Sequence, residues 1–249
     1  MASNIRLFIN TPIEKAARLT ISGNQRNYLI NVMRKKLSDK VNIFNGKDGE
    51  WQSEISYVAK KEVQLSVLKK IREQKGESDV WLIFAPIKVG RIDYLVEKAT
   101  ELGVAKLLPV FTERTIVNKV NTERLSANCM EAAEQSERLS VPEIAEPVKL
   151  SKLIEKWDKN RKIILCDESG GGNSIKETMI NLKSGSYAIM IGPEGGFTKR
   201  ELEMLKSLSY IIPVGLGPRV MRADTAAIAA LTSFQQHLGD WDEAPRFKG

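Results

Sequence analysis

Two loops in the last quarter of the chain have the composition of a ligand-binding site. Residues 192–197 read Gly-Pro-Glu-Gly-Gly-Phe, and residues 216–222 read Leu-Gly-Pro-Arg-Val-Met-Arg. Glycines permit close approach to the main chain and backbone angles that other residues avoid. Such a surface suits a flat, amphipathic ligand, for example an adenine nucleoside that pairs with backbone N–H and C=O groups. The alternative is a pair of tight turns, and two successive loops with two arginines in the second favour a site.

Other kinds of site find little support in the sequence. The chain has neither the G-x-x-x-x-G-K-[ST] motif nor a G-x-G-x-x-G motif followed by an acidic residue, so neither loop is a known phosphate-binding motif. The one histidine, His237, and the two cysteines, Cys129 and Cys166, do not supply a zinc site, and no metal is expected. A Ser-His-Asp or Cys-His nucleophile would have to use His237, which lies near the end of a terminal helical pattern.

The two loops follow short apolar runs and precede helical patterns. Residues 187–191 and 211–214 are expected strands, and Thr198-Lys-Arg-Glu201 is a capping box that predicts a helix directly after the first loop. Asp224 is expected to cap the last helix. Strands and helices alternate from residue 80 onward, which predicts an α/β fold with a mostly parallel sheet. The remaining expected strands are 80–87, 105–110 and 162–165, and the expected helices are 90–102, 121–138, 150–157 and 225–238.

The first third of the chain has a different pattern. Short alternating runs and the turn sequences Asn45-Gly46 and Asp48-Gly49 predict a small, mostly antiparallel β domain. The expected strands are 6–9, 40–44, 51–58 and 62–71, with one helix over 22–36. The polar stretch that follows marks the boundary, which gives two domains, 1–74 and 75–249.

Charge divides the chain in the same way. The net charge is +7, and residues 1–76 contain 15 lysines and arginines against 7 acidic residues, whereas residues 77–249 contain 23 against 24. A basic domain beside a near-neutral one suggests that the first captures a polyanion, with nucleic acid favoured over a merely solvated basic surface. The uncharged run 225–239 is too short to span a bilayer. Free cysteines and the lack of a signal-peptide pattern predict a cytoplasmic protein with no membrane partner.

Several ordered motifs resemble those of one family. The segments IGPEGGFTKRE and LGPRVMRADTAAIAAL closely resemble the C-terminal signature of the RsmE family of 16S rRNA (uracil-N3) methyltransferases, in the SPOUT superfamily. KATELGV at 98–104, EAAEQSER at 131–138 and Val141-Pro142 resemble further family motifs. Arg6-Leu-Phe8, Val32-Met-Arg34 and Phe44-Asn-Gly46 resemble its N-terminal domain. The sequence departs from the family pattern at Asn27, Ser38, Ser209, Met221 and Asp224.

The resemblance implies a fold and a cofactor. The fold would be a C-terminal SPOUT-type parallel sheet with a deep trefoil knot, plus a small N-terminal PUA-like β-barrel domain that binds RNA. S-adenosyl-L-methionine would lie against three loops, 165–168, 192–196 and 216–222. The implied cofactor-binding residues are Leu165, Asp167, Gly192, Glu194, Gly195, Gly196, Leu216, Gly217, Val220, Met221, Arg222 and Ala226.

The resemblance also implies an activity, methylation of N3 of a decoding-region uridine in small-subunit rRNA. The partner would be that rRNA or the assembled small subunit, and the terminal helix would take part in a homodimer. Arg222 is the candidate for stabilising the uracil anion, because its fork can face a carbonyl oxygen that gains charge. Glu194 and Asp224 are candidates for the base or for holding Arg222. The candidate RNA contacts are Arg6, Arg34, Arg91, Arg114 and Arg138.

Two other functions stay open at this point. One is a non-catalytic RNA-binding or ribosome-assembly protein that has kept the fold. The other is the same methyl transfer on a different RNA, such as tRNA.

Overall fold

The computed structural model describes residues 5–244, which divide into two compact units. The first, here called the β unit, contains residues 5–76 together with 133–141, and the second, the α/β unit, contains 77–132 and 142–244. The sequence placed a single boundary after residue 74 and did not anticipate the return of 133–141. This segment joins the β unit because Ala133 and Leu139 are buried there against Phe44.

The β unit is built on one five-stranded sheet. Its strands are β1 (Arg6–Phe8), β2 (Arg18–Ser22), β3 (Lys40–Phe44), β4 (Glu50–Val58) and β5 (Glu62–Arg72). The order is β1-β3-β4-β5-β2, and every pairing except β1 with β3 is antiparallel, as predicted. Three register shifts interrupt the β4–β5 ladder. Such bulges bend strands and increase their twist.

The helix of the β unit is shorter than predicted. Helix α1 (Gly23–Asn27) runs directly into a single π-helical turn, Tyr28–Val32. The chain leaves the helix because Arg34 adopts a left-handed φ of 53°. Strand β2 was missed from the sequence, although its residues alternate in burial.

The α/β unit is built on an eight-stranded, wholly parallel sheet, which confirms the predicted fold class. Its main order is β11-β13-β10-β12-β6-β7-β8, with β9 also paired to β7. The strands are β6 (Val80–Phe84), β7 (Lys106–Phe111), β8 (Glu143–Ile144), β9 (Val148–Lys149), β10 (Lys162–Cys166), β11 (Asn173–Ser174), β12 (Tyr187–Ile191) and β13 (Ile211–Gly215).

Within the described residues, five helices lie between these strands and a sixth follows the last strand. They are α2 (Arg91–Glu101), α3 (Thr122–Gln135), α4 (Leu150–Glu155), α5 (Ile175–Asn181), α6 (Lys199–Lys206) and α7 (Ala223–Leu238). The predicted capping box is present at the start of α6, and Gly103 follows α2 with a positive φ of 80°. Helix α5 was missed because it is only seven residues long and follows a glycine-rich turn.

Strand order decides where a site can form. β10 lies between β13 and β12, and all three are parallel. The loops that leave their carboxyl ends therefore emerge side by side at one edge of the sheet. β12 is buried along its whole length, so its loop starts from a fixed position. The predicted trefoil knot stays a prediction.

No helix within residues 5–244 is long and apolar enough to cross a membrane.

Candidate functional site

Three loops meet in one cleft at the carboxyl edge of the sheet. We call them loop 1 (167–172, after β10), loop 2 (192–197, after β12) and loop 3 (216–222, after β13). All three line a cavity of about 480 Å³, a size within the range of small-molecule sites. The predicted residues that line it are Asp167, Gly192, Glu194, Gly196, Leu216, Gly217, Val220, Met221, Arg222 and Ala226.

Two of the predicted residues are not in the lining. Leu165 is fully buried in β10, one residue before the lining begins, and Gly195 lies in loop 2 beside Arg114. The lining also includes Pro193, Pro218 and Arg219, which lie within the predicted loops, and Ser169, Gly170 and Ala223, which lie just outside them. The glycine-rich run 169–173 follows a buried strand, and this position was the signal that the first loop extends beyond residue 168.

Loop 1 is held from within the protein by Asp167. Its backbone N–H donates to Val214 O (2.9 Å), which ties the loop to β13. Its carboxylate forms an ion pair with Lys206 of α6 (2.5 Å) and accepts a hydrogen bond from Ser169 Oγ (2.6 Å). Burial raises the pKa of this carboxyl, but Lys206 and Ser169 outweigh it and hold the pKa below its usual value. Asp167 therefore supports the loop with a charged side chain that is turned inward.

Loop 2 is a tight turn that neighbouring charged side chains fix in place. Gly196 N donates to Pro193 O (2.9 Å), and Gly196 has a φ of 67°, which favours glycine. Arg114 Nη1 donates to Gly195 O (2.9 Å) and Phe197 O (3.3 Å). Glu168 Oε1 accepts from Phe197 N (2.9 Å). The turn is thus held on one side from loop 1 and on the other from the end of β7.

Loop 3 presents backbone and two arginines, Arg219 and Arg222, to the cleft. Gly217 has a φ of 99°, and an added Cβ there would meet nothing within 4 Å. Val220 is 90% exposed. Helix α7 begins at Ala223 with Arg222 as its N-cap residue and without a side-chain cap. The prediction that Asp224 caps this helix is therefore wrong, because Asp224 lies inside the first turn.

Asp224 has another partner. Its buried carboxylate accepts two hydrogen bonds from Arg91 Nη2 (2.5 and 2.6 Å) and one from Arg91 Nε (3.0 Å). Burial raises the pKa of Asp224, but the hydrogen bonds from Arg91 and Thr225 outweigh it and lower the pKa overall. A carboxylate tied in this way is a poor proton acceptor. Asp224 holds Arg91, and not Arg222 as the sequence suggested.

Glu194, Arg219 and Arg222 are the lining residues whose charges are least engaged. All three are exposed, and the side chains of Arg219 and Arg222 have no hydrogen-bond or ion-pair partner within residues 5–244. The charge of Glu194 adds a smaller contribution to that of Asp224 in raising the pKa of Arg91. Cys166 also lines the cleft, but burial and then the charge of Glu168 raise its pKa to about 12. Its thiol stays protonated at neutral pH and is not a nucleophile.

The five predicted RNA-contacting arginines lie in different settings. Arg34 is exposed in the β unit. Arg6 and Arg138 are buried in the β unit at 5% and 8% exposure, with Arg6 bonded to Glu50 and Arg138 to Ser140. Arg91 is paired with Asp224, and Arg114 with loop 2. Burial removes Arg6 and Arg138 from the side chains that a phosphate can reach, so these two assignments need correction.

Comparison with known families gives two matches. The family model of the RNA methyltransferase domain matches residues 74–235, and that of the RNA methyltransferase PUA domain matches residues 21–68. Ribosomal RNA small subunit methyltransferase E of Rickettsia conorii is 31% identical over 227 residues, which cover 91% of this chain and 93% of the relative. The protein of the same name from Bacillus subtilis is 30% identical over 241 residues, with 91% and 93% covered.

Solved structures are similar over nearly the whole chain. The ribosomal RNA small subunit methyltransferase E of Neisseria gonorrhoeae, bound to S-adenosyl methionine, has a TM-score of 0.86 and 25% identity, over 96% of this chain and 100% of that one. A methyltransferase from Legionella pneumophila, also with bound S-adenosyl methionine, has a TM-score of 0.84 and 29% identity, with the same coverage.

Proposed function

This chain belongs to the RNA methyltransferase family, in the group of ribosomal RNA small subunit methyltransferase E, and we propose that it methylates N3 of a decoding-region uridine in 16S rRNA. The methyl donor is S-adenosylmethionine, with which two similar structures were solved. The family assignment predicted from the sequence motifs is confirmed, as is the PUA-like character of the N-terminal region. The choice of uracil N3 is our inference.

The convergence of three loops on one cleft is the observation that carries the proposal. The cavity has room for a nucleoside with an amino-acid side chain, and Gly217, where an added Cβ would meet nothing within 4 Å, leaves main chain open to it. These features suit an adenine edge that pairs with backbone groups. When bound, the donor supplies an electrophilic methyl group on a sulfonium centre. The protein contributes the position of the two reactants, and well-held geometry can supply about 7–11 kcal/mol of the barrier.

The acceptor nitrogen must lose a proton. Uracil N3–H is weakly acidic, so the site needs a cation that stabilises the anion, a base, or both. Arg222 meets the first need, because its charge faces the cleft without a partner in the part of the chain that the structure describes. Its fork suits O2 or O4 of the ring, where negative charge develops. Glu194 meets the second need, since its carboxylate is exposed in the cleft and no hydrogen bond from residues 5–244 ties it.

Asp224 takes a supporting part in this scheme. Its pair with Arg91 fixes a guanidinium beside the start of α7, close enough for Glu194 to influence its charge. We assign Arg91 to the acceptor RNA and Asp224 to the orientation of Arg91. A base role for Asp224 is dropped, because Arg91 and Thr225 already use its oxygens.

Capture of the RNA is assigned to the β unit. Its excess of lysine and arginine and the exposed position of Arg34 support this assignment. Neutralised phosphates release counterions, so the RNA affinity should fall steeply with salt. Full-length protein should show a steep slope of log affinity against log salt, and Arg34→Ala should reduce that slope by about 1.

A homodimer belongs to the same proposal. Helix α7 packs against α2, α5 and β12 of its own chain. A half-buried strip remains on it, at Ile228, Ala229 and Thr232. Sedimentation at several concentrations tests the dimer, and a fully active monomer would contradict it.

One experiment tests the proposed reaction. Labelled methyl transfer from S-adenosylmethionine is measured on small ribosomal subunits, naked 16S rRNA and tRNA, and the modified base is then mapped. We expect label on N3 of a single uridine in 16S rRNA. Label on tRNA indicates the same chemistry on another substrate, and RNA binding without label indicates a ribosome-assembly role.

Variants of loop 3 test the assignment of Arg222. Arg222→Ala should lower kcat by about 10²–10³, as loss of one stabilising donor does in other enzymes. Donor affinity should change far less. Arg219→Ala is the matched control, because Arg219 is an exposed arginine that lines the same cleft from the same loop. A large kcat loss in Arg219→Ala, with Arg222→Ala unaffected, would move the role to Arg219.

A further inference from the structure

The turn at residues 112–115 does not line the cleft but contacts loop 2, which does. It follows β7, which is separated from β12 by β6 in the sheet. The turn is closed locally by Thr112 N donating to Thr115 Oγ1 (2.9 Å) and Thr115 N donating to Thr112 O (3.2 Å). It nevertheless reaches loop 2, where Arg114 bonds to the carbonyls of Gly195 and Phe197.

Arg114 lies along loop 2 over most of its length. An added Cβ on Gly195 would come within 3.6 Å of Arg114 Cβ and 3.7 Å of its Cδ, so the aliphatic stem packs on the glycine while the guanidinium binds the carbonyls. Arg114 thereby uses both its apolar and its charged parts on one turn. A phosphate contact would need the same guanidinium.

Glu201 fixes the 112–115 turn from the other side. This carboxylate is 5% exposed. Its Oε1 accepts from Glu113 N (2.9 Å), and its Oε2 accepts from Thr198 N (2.9 Å), the residue after loop 2. One buried side chain thus ties the turn that carries Arg114 to the end of the loop that Arg114 holds. Glu168 completes the arrangement by accepting from Phe197 N.

We propose that Arg114 is a positioning residue for the methyl donor, which holds loop 2 in its binding conformation, and not a contact to RNA. The proposal rests on the proposed function, because it assigns loop 2 to the donor. Loop 2 contains three glycines, and Phe197 at its end is buried in the core. The Gly195-Gly196 part of the loop has no side chains of its own, so its shape depends on outside partners. Preorganised loops bind ligands more tightly because less ordering is needed on binding.

Three measurements test the proposal. They are donor binding by calorimetry, RNA binding at several salt concentrations, and amide hydrogen exchange without ligand. Arg114→Ala should weaken donor binding about tenfold, the loss expected for about 1.4 kcal/mol, and should speed amide exchange over 195–198. RNA affinity and its salt slope should stay unchanged. Arg114→Lys, which keeps a charged donor without the planar fork, should fall between the wild type and Arg114→Ala. Arg200→Ala is the control, as an exposed arginine on α6 with no side-chain partner within residues 5–244.

Three results would overturn the proposal. In the first, Arg114→Ala leaves donor affinity and amide exchange unchanged but reduces the salt slope of RNA binding by about 1. Such a reduced slope is the signature of a lost phosphate contact. The second is faster exchange throughout the α/β unit, which would show a general loss of stability. The third is full donor affinity in Arg114→Ala despite faster exchange in loop 2. If the wild type binds no donor, the proposed function fails, while the exchange data still report whether Arg114 orders loop 2.

Discussion

Arg6 gives the sharpest test of the structural interpretation, because sequence reasoning assigned it to RNA. In the structure its Nε pairs with Glu50 Oε1 (3.1 Å), and the two side chains are 3% and 0% exposed. Its Nη1 donates to Ala133 O (2.9 Å) and Glu134 O (3.0 Å), and its Nη2 donates to Arg138 O (2.6 Å). The guanidinium also lies 4.3 Å from the centre of the Phe44 ring. All three guanidinium nitrogens donate inside the β unit.

The perturbation is Arg6→Met, which keeps an unbranched apolar stem and removes the charge. Glu50 would remain fully buried, with Asn42 and the more distant Arg72 (3.9 Å) as partners. Removing one partner of a buried ion pair costs about 3–5 kcal/mol. Three carbonyls also lose their donor, but these losses are not additive with the first. With an m-value of about 2 kcal/mol/M, we expect the urea midpoint of the β unit to fall by about 2 M.

The assay combines urea unfolding with RNA binding under conditions where the variant stays folded. We expect a large loss of stability and an unchanged salt slope for RNA. Arg34→Met is the control, since Arg34 is exposed and should show the reverse pattern. Arg6→Met combined with Glu50→Gln should recover part of the lost stability, because the buried charge is gone. An unchanged urea midpoint, together with a salt slope reduced by about 1, would refute the reasoning and return Arg6 to the RNA contacts.

Two further predictions concern loop 1. Because the pKa of Asp167 is lowered, its contribution to stability is present above about pH 4 and is lost as the pH falls through the folded-state pKa. In Lys206→Met the burial that raises the pKa of Asp167 is opposed mainly by Ser169. The variant should therefore lose most stability at neutral pH, and this loss should shrink toward about pH 4. Urea titrations between about pH 4 and 8 check this, and a loss of stability independent of pH would contradict it. Gly172→Ala would place a Cβ 2.5 Å from Pro213 C and O, which must push loop 1 away from β13 and weaken donor binding in calorimetry. Gly76→Ala, where a Cβ meets nothing within 4 Å, is the control, and equal donor affinity in the two variants would show that loop 1 tolerates the shift.

The sequence predicted well what local chemistry decides. The capping box at Thr198 and Glu201 depends on residues three positions apart, and the structure contains it as predicted. The strands before loops 2 and 3 were recognisable as apolar runs, and their parallel arrangement follows from the alternation with helices. Loop 1 was found through the family motifs, because its glycine-rich end has no distinctive pattern of its own.

The sequence predicted poorly what distant pairs decide. Arg6 and Glu50 are 44 positions apart, and Arg91 and Asp224 are 133 apart. No periodicity relates such residues, so an arginine that is buried in an ion pair has the same local signature as one that binds phosphate. The return of residues 133–141 to the β unit has the same origin, since it depends on packing against Phe44.

These distant pairs narrow the choice of reactive groups. Among the charged residues of the cleft, Asp167 is neutralised by Lys206, and Glu168 accepts a backbone N–H of loop 2. At the start of α7, Asp224 is likewise held by Arg91. Within the described part of the chain, the cleft charges that remain without such a bond belong to Glu194, Arg219 and Arg222. A carboxylate as base and an arginine as stabilising cation suit the proposed removal of a proton from uracil N3. The other carboxylates, those of Asp167, Glu168 and Asp224, are engaged in holding loops or side chains in place, which supports the proposed roles of the remaining charges.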